Sequence, residues 1–169
     1  MKSESTQISR EQMIDLLNED LAREYQAIIA YTIYSQVLKG PEYMSIAMEL
    51  EKHAGEELQH ALKIAKQIDY LGGMPGAVPK PVLTSDDPEA MLRADLENER
   101  ETVANYRQRI RQAEAMGEYA LSETLRQIIM QEQEHEMDLC DALGIVVPLP
   151  RKSVNEASAT SWTPAGERK

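Results

Sequence analysis

The sequence predicts an all-α protein: an antiparallel four-helix bundle with one long crossover between its second and third helices. Three observations carry this expectation. Its apolar residues are mostly Leu, Ile, Ala and Met, with no Phe at all, a mix that favours helix over sheet. Apolar positions recur at alternating steps of three and four residues in four separate segments. The breaks between those segments run short, long, short. A length of 169 residues suffices for one such domain with its own core.

Each helix has its own start and stop signals. Ser9-Arg10-Glu11-Gln12 reads as a capping box, so the first helix begins there and runs to about Lys39, before Gly40-Pro41. The second begins just after and reaches Leu71, where Gly72-Gly73 ends it. Met74 to Ser85 holds Pro75, Gly76, Pro79 and Pro81, the composition of an extended linker. Asp87-Pro88 supplies an N-cap and a proline at the first helical position of the third helix, which runs to about Met116. Gly117 breaks it, and the fourth helix continues to about Leu143 before Gly144. The short links make helices one and two, and three and four, antiparallel pairs. The middle link is long enough to cross the length of the bundle. The expected domain spans residues 9–144, and residues 145–169 read as an extended or disordered tail with Trp162 stranded in it.

Composition removes several function classes. A formal charge of −11 with no basic stripe argues against a nucleic-acid partner, while an acidic surface attracts divalent cations. Cys140 is the single cysteine, which excludes an intrachain disulfide and any cysteine-only zinc or iron–sulfur site. No stretch approaches the roughly 20 apolar residues a bilayer requires, so no membrane association is expected. Met1 to Arg10 is polar and has no signal-peptide core, and a cytoplasmic location is expected.

The chemistry lies where leucines belong. Followed along its core face, the first helix reads Leu17, Leu21, Glu24, Ile28, Tyr31 and the second Leu50, His53, Glu57, His60, Ile64, Leu71. The third reads Leu92, Leu96, Glu99, Val103, Tyr106, Ile110 and the fourth Leu121, Leu125, Ile128, Glu132, His135, Leu139. Each stripe is interrupted by ionisable groups near its middle. An isolated buried carboxylate costs several kcal/mol or takes up a proton, so four at matched depths call for a shared counter-charge. Two divalent cations against four glutamates give a site close to neutral. Glu24, Glu57, His60, Glu99, Glu132 and His135 are therefore the expected ligands of a metal pair.

Spacing supports this independently. Glu24 precedes Glu57 by 33 residues, as Glu99 precedes Glu132, and Glu57 and Glu132 are each followed three residues later by His60 and His135. The chain thus repeats itself as two helical hairpins offset by 75 residues. Residues three apart share a helix face, so each Glu-x-x-His can grip metal from one side.

At these residues the chain resembles the ferritin-like superfamily, bacterioferritin above all, over roughly residues 10–144. Met91-Leu92-Arg93-Ala94-Asp95-Leu96-Glu97-Asn98-Glu99 resembles the bacterioferritin third helix, whose last glutamate is a ligand; this favours Glu99 over Glu97 and Glu101. The resemblance implies that Glu24 and Glu99 are terminal ligands, that Glu57 and Glu132 bridge, and that His60 and His135 hold one metal each. It also matches Tyr31 to a tyrosine beside the family's site, the candidate catalytic side chain. The family's haem methionine would fall at Leu58, whose side chain cannot ligate iron, so no haem is expected.

Mixed carboxylate and imidazole ligands suit iron or manganese. The expected cofactor is two Fe ions per subunit, Mn being the alternative. The leading function is ferroxidase chemistry, Fe(II) oxidised by O2 or H2O2 for iron storage or detoxification. An enzymatic rival is a peroxide-scavenging protein of the rubrerythrin or manganese-catalase kind; one cysteine cannot build the usual rubrerythrin electron-transfer domain. A non-enzymatic rival is a scaffold or DNA-protecting shell. A homo-oligomer is expected, a dimer at least; the family's shells of twelve and twenty-four subunits are the larger alternatives, and the lack of a fifth helix counts against twenty-four.

Neighbouring residues carry secondary expectations. His53 reads as a core histidine first and a metal-proximal group second. Asp95 reads equally as a group that orients a ligand histidine and as a solvent-facing residue of the N-terminal turn. Tyr106 reads as core packing or as an electron donor, Cys140 as a small core filler, and Glu56, Glu134 and Glu136 as solvated.

Overall fold

The computed structural model describes residues 6–146, and among these it contains four helices and no strand: α1 Arg10–Val37, α2 Met44–Tyr70, α3 Pro88–Ala115 and α4 Tyr119–Ala142. The all-α four-helix bundle expected from the sequence is the fold observed. Of the tail expected over residues 145–169, residues 147–169, Trp162 included, lie outside the described residues.

Local signals set the boundaries. Ser9 accepts the backbone N–H of Gln12 while the Gln12 side chain accepts that of Ser9, closing the capping box. Asp87 accepts from Glu89 and Ala90 at the start of α3, with Pro88 in the first turn. α1 ends at Val37, earlier than expected, because Leu38 is already extended at φ −63°, ψ 120°. Residues 40–43 then form a turn, so α2 starts only at Met44. Two glycines are needed for what they lack. Gly117 links α3 to α4 at φ 77°, a left-handed conformation that side chains disfavour. A Cβ on Gly73 would lie 2.5 Å from the Ile14 side chain, so only glycine lets the crossover leave beside α1.

The crossover climbs α1 from bottom to top. Asn18 bonds to Met74 and Gly76, Lys80 to Ala22 and Glu19, Gln26 to Pro81, and Tyr34 to Leu83. α3 therefore begins beside the end of α1 and runs antiparallel to it. The main packing faces are α1 on α2 and α3 on α4, closed by α1 against α3 and α2 against α4.

The core is split in two. One apolar cluster holds Leu17, Leu21, Ile64, Ile68, Leu125 and Ile128; the other holds Tyr34, Leu50, Leu92, Leu96 and Leu139, with Cys140 as the small filler expected. Between them lies a buried polar layer, formed by the ionisable groups that interrupt each stripe. Ile28 and Ile110 are only half-buried, and Arg109 turns inward beside Ile110 instead.

Candidate metal centre

Six side chains, at most 3% exposed each, meet in the polar layer: Glu24 from α1, Glu57 and His60 from α2, Glu99 from α3, Glu132 and His135 from α4. Their ligand atoms form two overlapping groups, each within 4.8 Å: Glu24, Glu57, His60 and Glu132 in one, Glu57, Glu99, Glu132 and His135 in the other. Glu57 and Glu132 belong to both. His60 Nδ1 lies 3.0 Å from Glu132, 3.1 Å from Glu57 and 3.4 Å from Glu24. His135 Nδ1 lies 2.8 Å from Glu57 and 3.6 Å from Glu132.

The repeat is reproduced as pseudo-twofold bonding around the layer. Tyr31 donates to Glu99, and Tyr106, 75 residues later, donates to Glu24. His60 Nε2 donates to Gln131 at 2.9 Å, and His135 Nε2 donates to Glu56 at 3.0 Å. Those outer bonds fix each ring with Nδ1 toward the carboxylates. Glu24 and Glu99 each accept from a tyrosine with one oxygen and keep the other buried without a hydrogen bond, and both oxygens of Glu132 are buried without one. His135 Nδ1 and Glu57 Oε1 are close but not aligned as a hydrogen bond. So many orphaned acceptors in one dry layer would be costly without a cation. The donor set, carboxylate oxygens with imidazole nitrogens, fits a pair of first-row divalent ions.

Electrostatics without metal follow from the same crowding. Burial, then the Glu132 and Glu57 charges, pushes the Glu24 and Glu99 carboxyls well up. Glu57 is held below its usual range, since contacts to His135 and His60 outweigh its burial. Burial works against the His60 and His135 cations, yet the surrounding carboxylates raise both, His135 to about 12. Burial and nearby carboxylates also keep the Tyr31 and Tyr106 phenols protonated, so they donate. His53 is the opposite case: burial, then the His135 charge, pushes it down to about 3, a neutral ring.

Some expectations need correction. Asp95 is buried but bonds to neither His60 nor His135; Gln131 and Glu56 hold those rings instead. Glu56 is therefore not simply solvated, and Glu136 is half-buried 3.5 Å from Arg100, whereas Glu134 is exposed. Sequence reasoning also missed a buried ion pair beneath the layer, Arg109 to Asp20 at 2.8 Å, with Arg109 further bonded to Gln112. The 75-residue repeat contained the missing signal for Glu56 and Gln131, which sit at equivalent positions one residue before the Glu-x-x-His pairs.

The fold and this layer define a ferritin-like four-helix bundle with a candidate dimetal site. The chain belongs to the Ferritin family, matching its ferritin-like domain over residues 14–145. A bacterioferritin of Desulfovibrio desulfuricans is 27% identical over 73% of this chain and 69% of its own. A ferritin-like, diiron-carboxylate protein of Bacillus anthracis is 33% identical with a TM-score of 0.76, covering 80% of this chain and 99% of that one. A dodecameric thioferritin of Bacteroides fragilis is 28% identical with a TM-score of 0.74, covering 82% of this chain and 88% of that one.

Proposed function

We propose that this chain is a ferroxidase that oxidises Fe(II) with dioxygen or hydrogen peroxide in iron storage or detoxification. One observation carries the reading: two four-residue groups of buried donors share Glu57 and Glu132, as a metal pair requires. Glu24 and His60 would hold one ion, Glu99 and His135 the other, with Glu57 and Glu132 between them. The same donors accept Mn(II), and metal analysis of protein from native cells separates the two. A bound iron pair supplies electrons to the oxidant. The chain's own groups do the rest. Tyr31 and Tyr106 hold the terminal glutamates by one oxygen each and leave the other free for metal. Glu56 and Gln131 hold the imidazoles, and two apolar clusters exclude bulk water on either side. Loading displaces the protons that His60 and His135 carry in the metal-free layer.

Adding Fe(II) anaerobically and then oxygen or peroxide should produce rapid absorbance near the ultraviolet edge, lost in Glu57→Ala and His135→Ala. Equal signals in wild type and both variants would refute the assignment. No haem is proposed, because Leu58, exposed on α2, offers no ligand; a Soret band in purified protein would overturn that. A homo-oligomer is proposed as well. The Bacteroides relative is a dodecamer, and Ile29, Leu58 and Leu62 leave apolar surface on the outer α1–α2 face. Light scattering on the eluting protein gives the subunit number, and a monomer at micromolar concentration would reject assembly.

A further inference from the structure

The 75-residue repeat that builds the polar layer is broken beside it, and the breaks favour one side. Glu56 accepts from His135 Nε2 at 3.0 Å; its repeat equivalent, Gln131, accepts from His60 Nε2 at 2.9 Å. The same outer bond is thus made once to a carboxylate and once to a neutral amide. Lys52, 62% exposed and 4.0 Å from Glu56, offsets little of that charge. Asp20 and Asp95 are also equivalent, four residues before Glu24 and Glu99, and both are buried. Arg109 answers Asp20 at 2.8 Å. The equivalent of Arg109 is Tyr34, which donates to the Leu83 carbonyl, and Asp95 Oδ2 is buried without a hydrogen-bond partner. Finally, the His53 ring stacks on His135 with centroids 3.9 Å apart, whereas the equivalent of His53 is the aliphatic Ile128.

We propose that the two metal positions are unequal: the one held by Glu99 and His135 binds its divalent ion first and more tightly than the one held by Glu24 and His60, and Glu56 sets that order through the His135 ring. The proposal rests on the dimetal reading. A hydrogen bond to a carboxylate leaves more negative charge on the metal-facing nitrogen than one to an amide, making His135 the stronger donor. Glu56 is a positioning residue in this scheme, because it acts through His135. Asp95, with no fixed cation answering it, adds to the same side, while Arg109 offsets Asp20 on the other. The stacked His53 ring holds His135 in place before any ion arrives. Because Glu57 and Glu132 belong to both groups, the first ion takes up charge that the second would use, which separates the affinities further.

Co2+, which oxygen does not readily turn over, is the probe. Outer partners of metal-bound imidazoles change affinity about 10- to 100-fold, and a tenfold difference leaves about three times more ion on the tighter position when one Co2+ is supplied per chain. Anomalous difference maps of full-chain crystals at that loading should therefore show a peak beside His135 at least about threefold stronger than the one beside His60. Equal peaks, or a stronger one beside His60, overturn the proposal and leave the dimetal reading standing. No peak at either position, even in excess Co2+, overturns both. Glu56→Gln keeps the size of the side chain and an acceptor for His135, so a purely structural role would survive it. Calorimetric titration of that variant should show the tight step weakened about tenfold. The exchanged pair Glu56→Gln/Gln131→Glu should reverse the order of the two anomalous peaks. An unchanged tight step in the first variant, or an unchanged order in the second, overturns the role of Glu56.

Discussion

Replacing Arg109 with methionine tests how this bundle keeps charge beneath its polar layer. Arg109 and Asp20 are 4% and 1% exposed, and their side chains meet at 2.8 Å. Burial raises the Asp20 carboxyl from 3.8 to about 6 even with Arg109 beside it. Keeping Asp20 ionised in the fold therefore already costs about 3 kcal/mol above pH 6. The folded value lies above the unfolded one, so this cost is small near pH 4, grows as pH rises toward 6 and is constant above it. Without Arg109, Asp20 escapes by holding a proton, which at pH 7.5 costs at most about 5 kcal/mol against its ordinary 3.8. The charge loss in Arg109→Met is thus capped at about 2 kcal/mol at pH 7.5, and it vanishes near pH 5, where both proteins hold that proton. The lost bond to Gln112 adds about 1 kcal/mol at either pH. Urea unfolding of metal-free protein should therefore show a loss of up to about 3 kcal/mol at pH 7.5 and about 1 kcal/mol at pH 5. A loss under 1 kcal/mol at both, or a larger one at pH 5, would refute the reasoning. The double variant Asp20→Leu/Arg109→Met should recover wild-type stability or exceed it.

Other expectations follow from single contacts. Ile64→Ala, at a fully buried position in the lower cluster, should cost about 2–5 kcal/mol in urea unfolding, and a loss below 1 would contradict the packing. Tyr106→Phe leaves a second oxygen of Glu24 buried without a donor and should cost about 1–3 kcal/mol in metal-free protein; a neutral result would remove the proposed hydrogen bond. Glu56→Ala frees the outer nitrogen of His135 and should weaken Co2+ binding in the buried layer about 10- to 100-fold, and equal affinity would show that Glu56 supports nothing.

Much was legible in the sequence because it is local or periodic. The capping box at Ser9, the Asp87-Pro88 start and the alternating three- and four-residue stripes are written in neighbouring residues, so helix number and order followed from them. The six polar residues stood out because a carboxylate on an apolar stripe is expensive wherever the helix packs. Chain repetition even fixed which residues are equivalent. What the sequence could not say is who stands across the interface. That His135 takes Glu56 rather than Asp95, that Tyr31 and Tyr106 cross over to the opposite hairpin's glutamates, and that Arg109 rather than Ile110 turns inward all depend on how α1 meets α3 and how α2 meets α4. Periodicity gives the angle of a side chain about its own helix. Only packing gives the depth and rotation of the helix opposite, and hydrogen bonds are short enough to be decided by that difference.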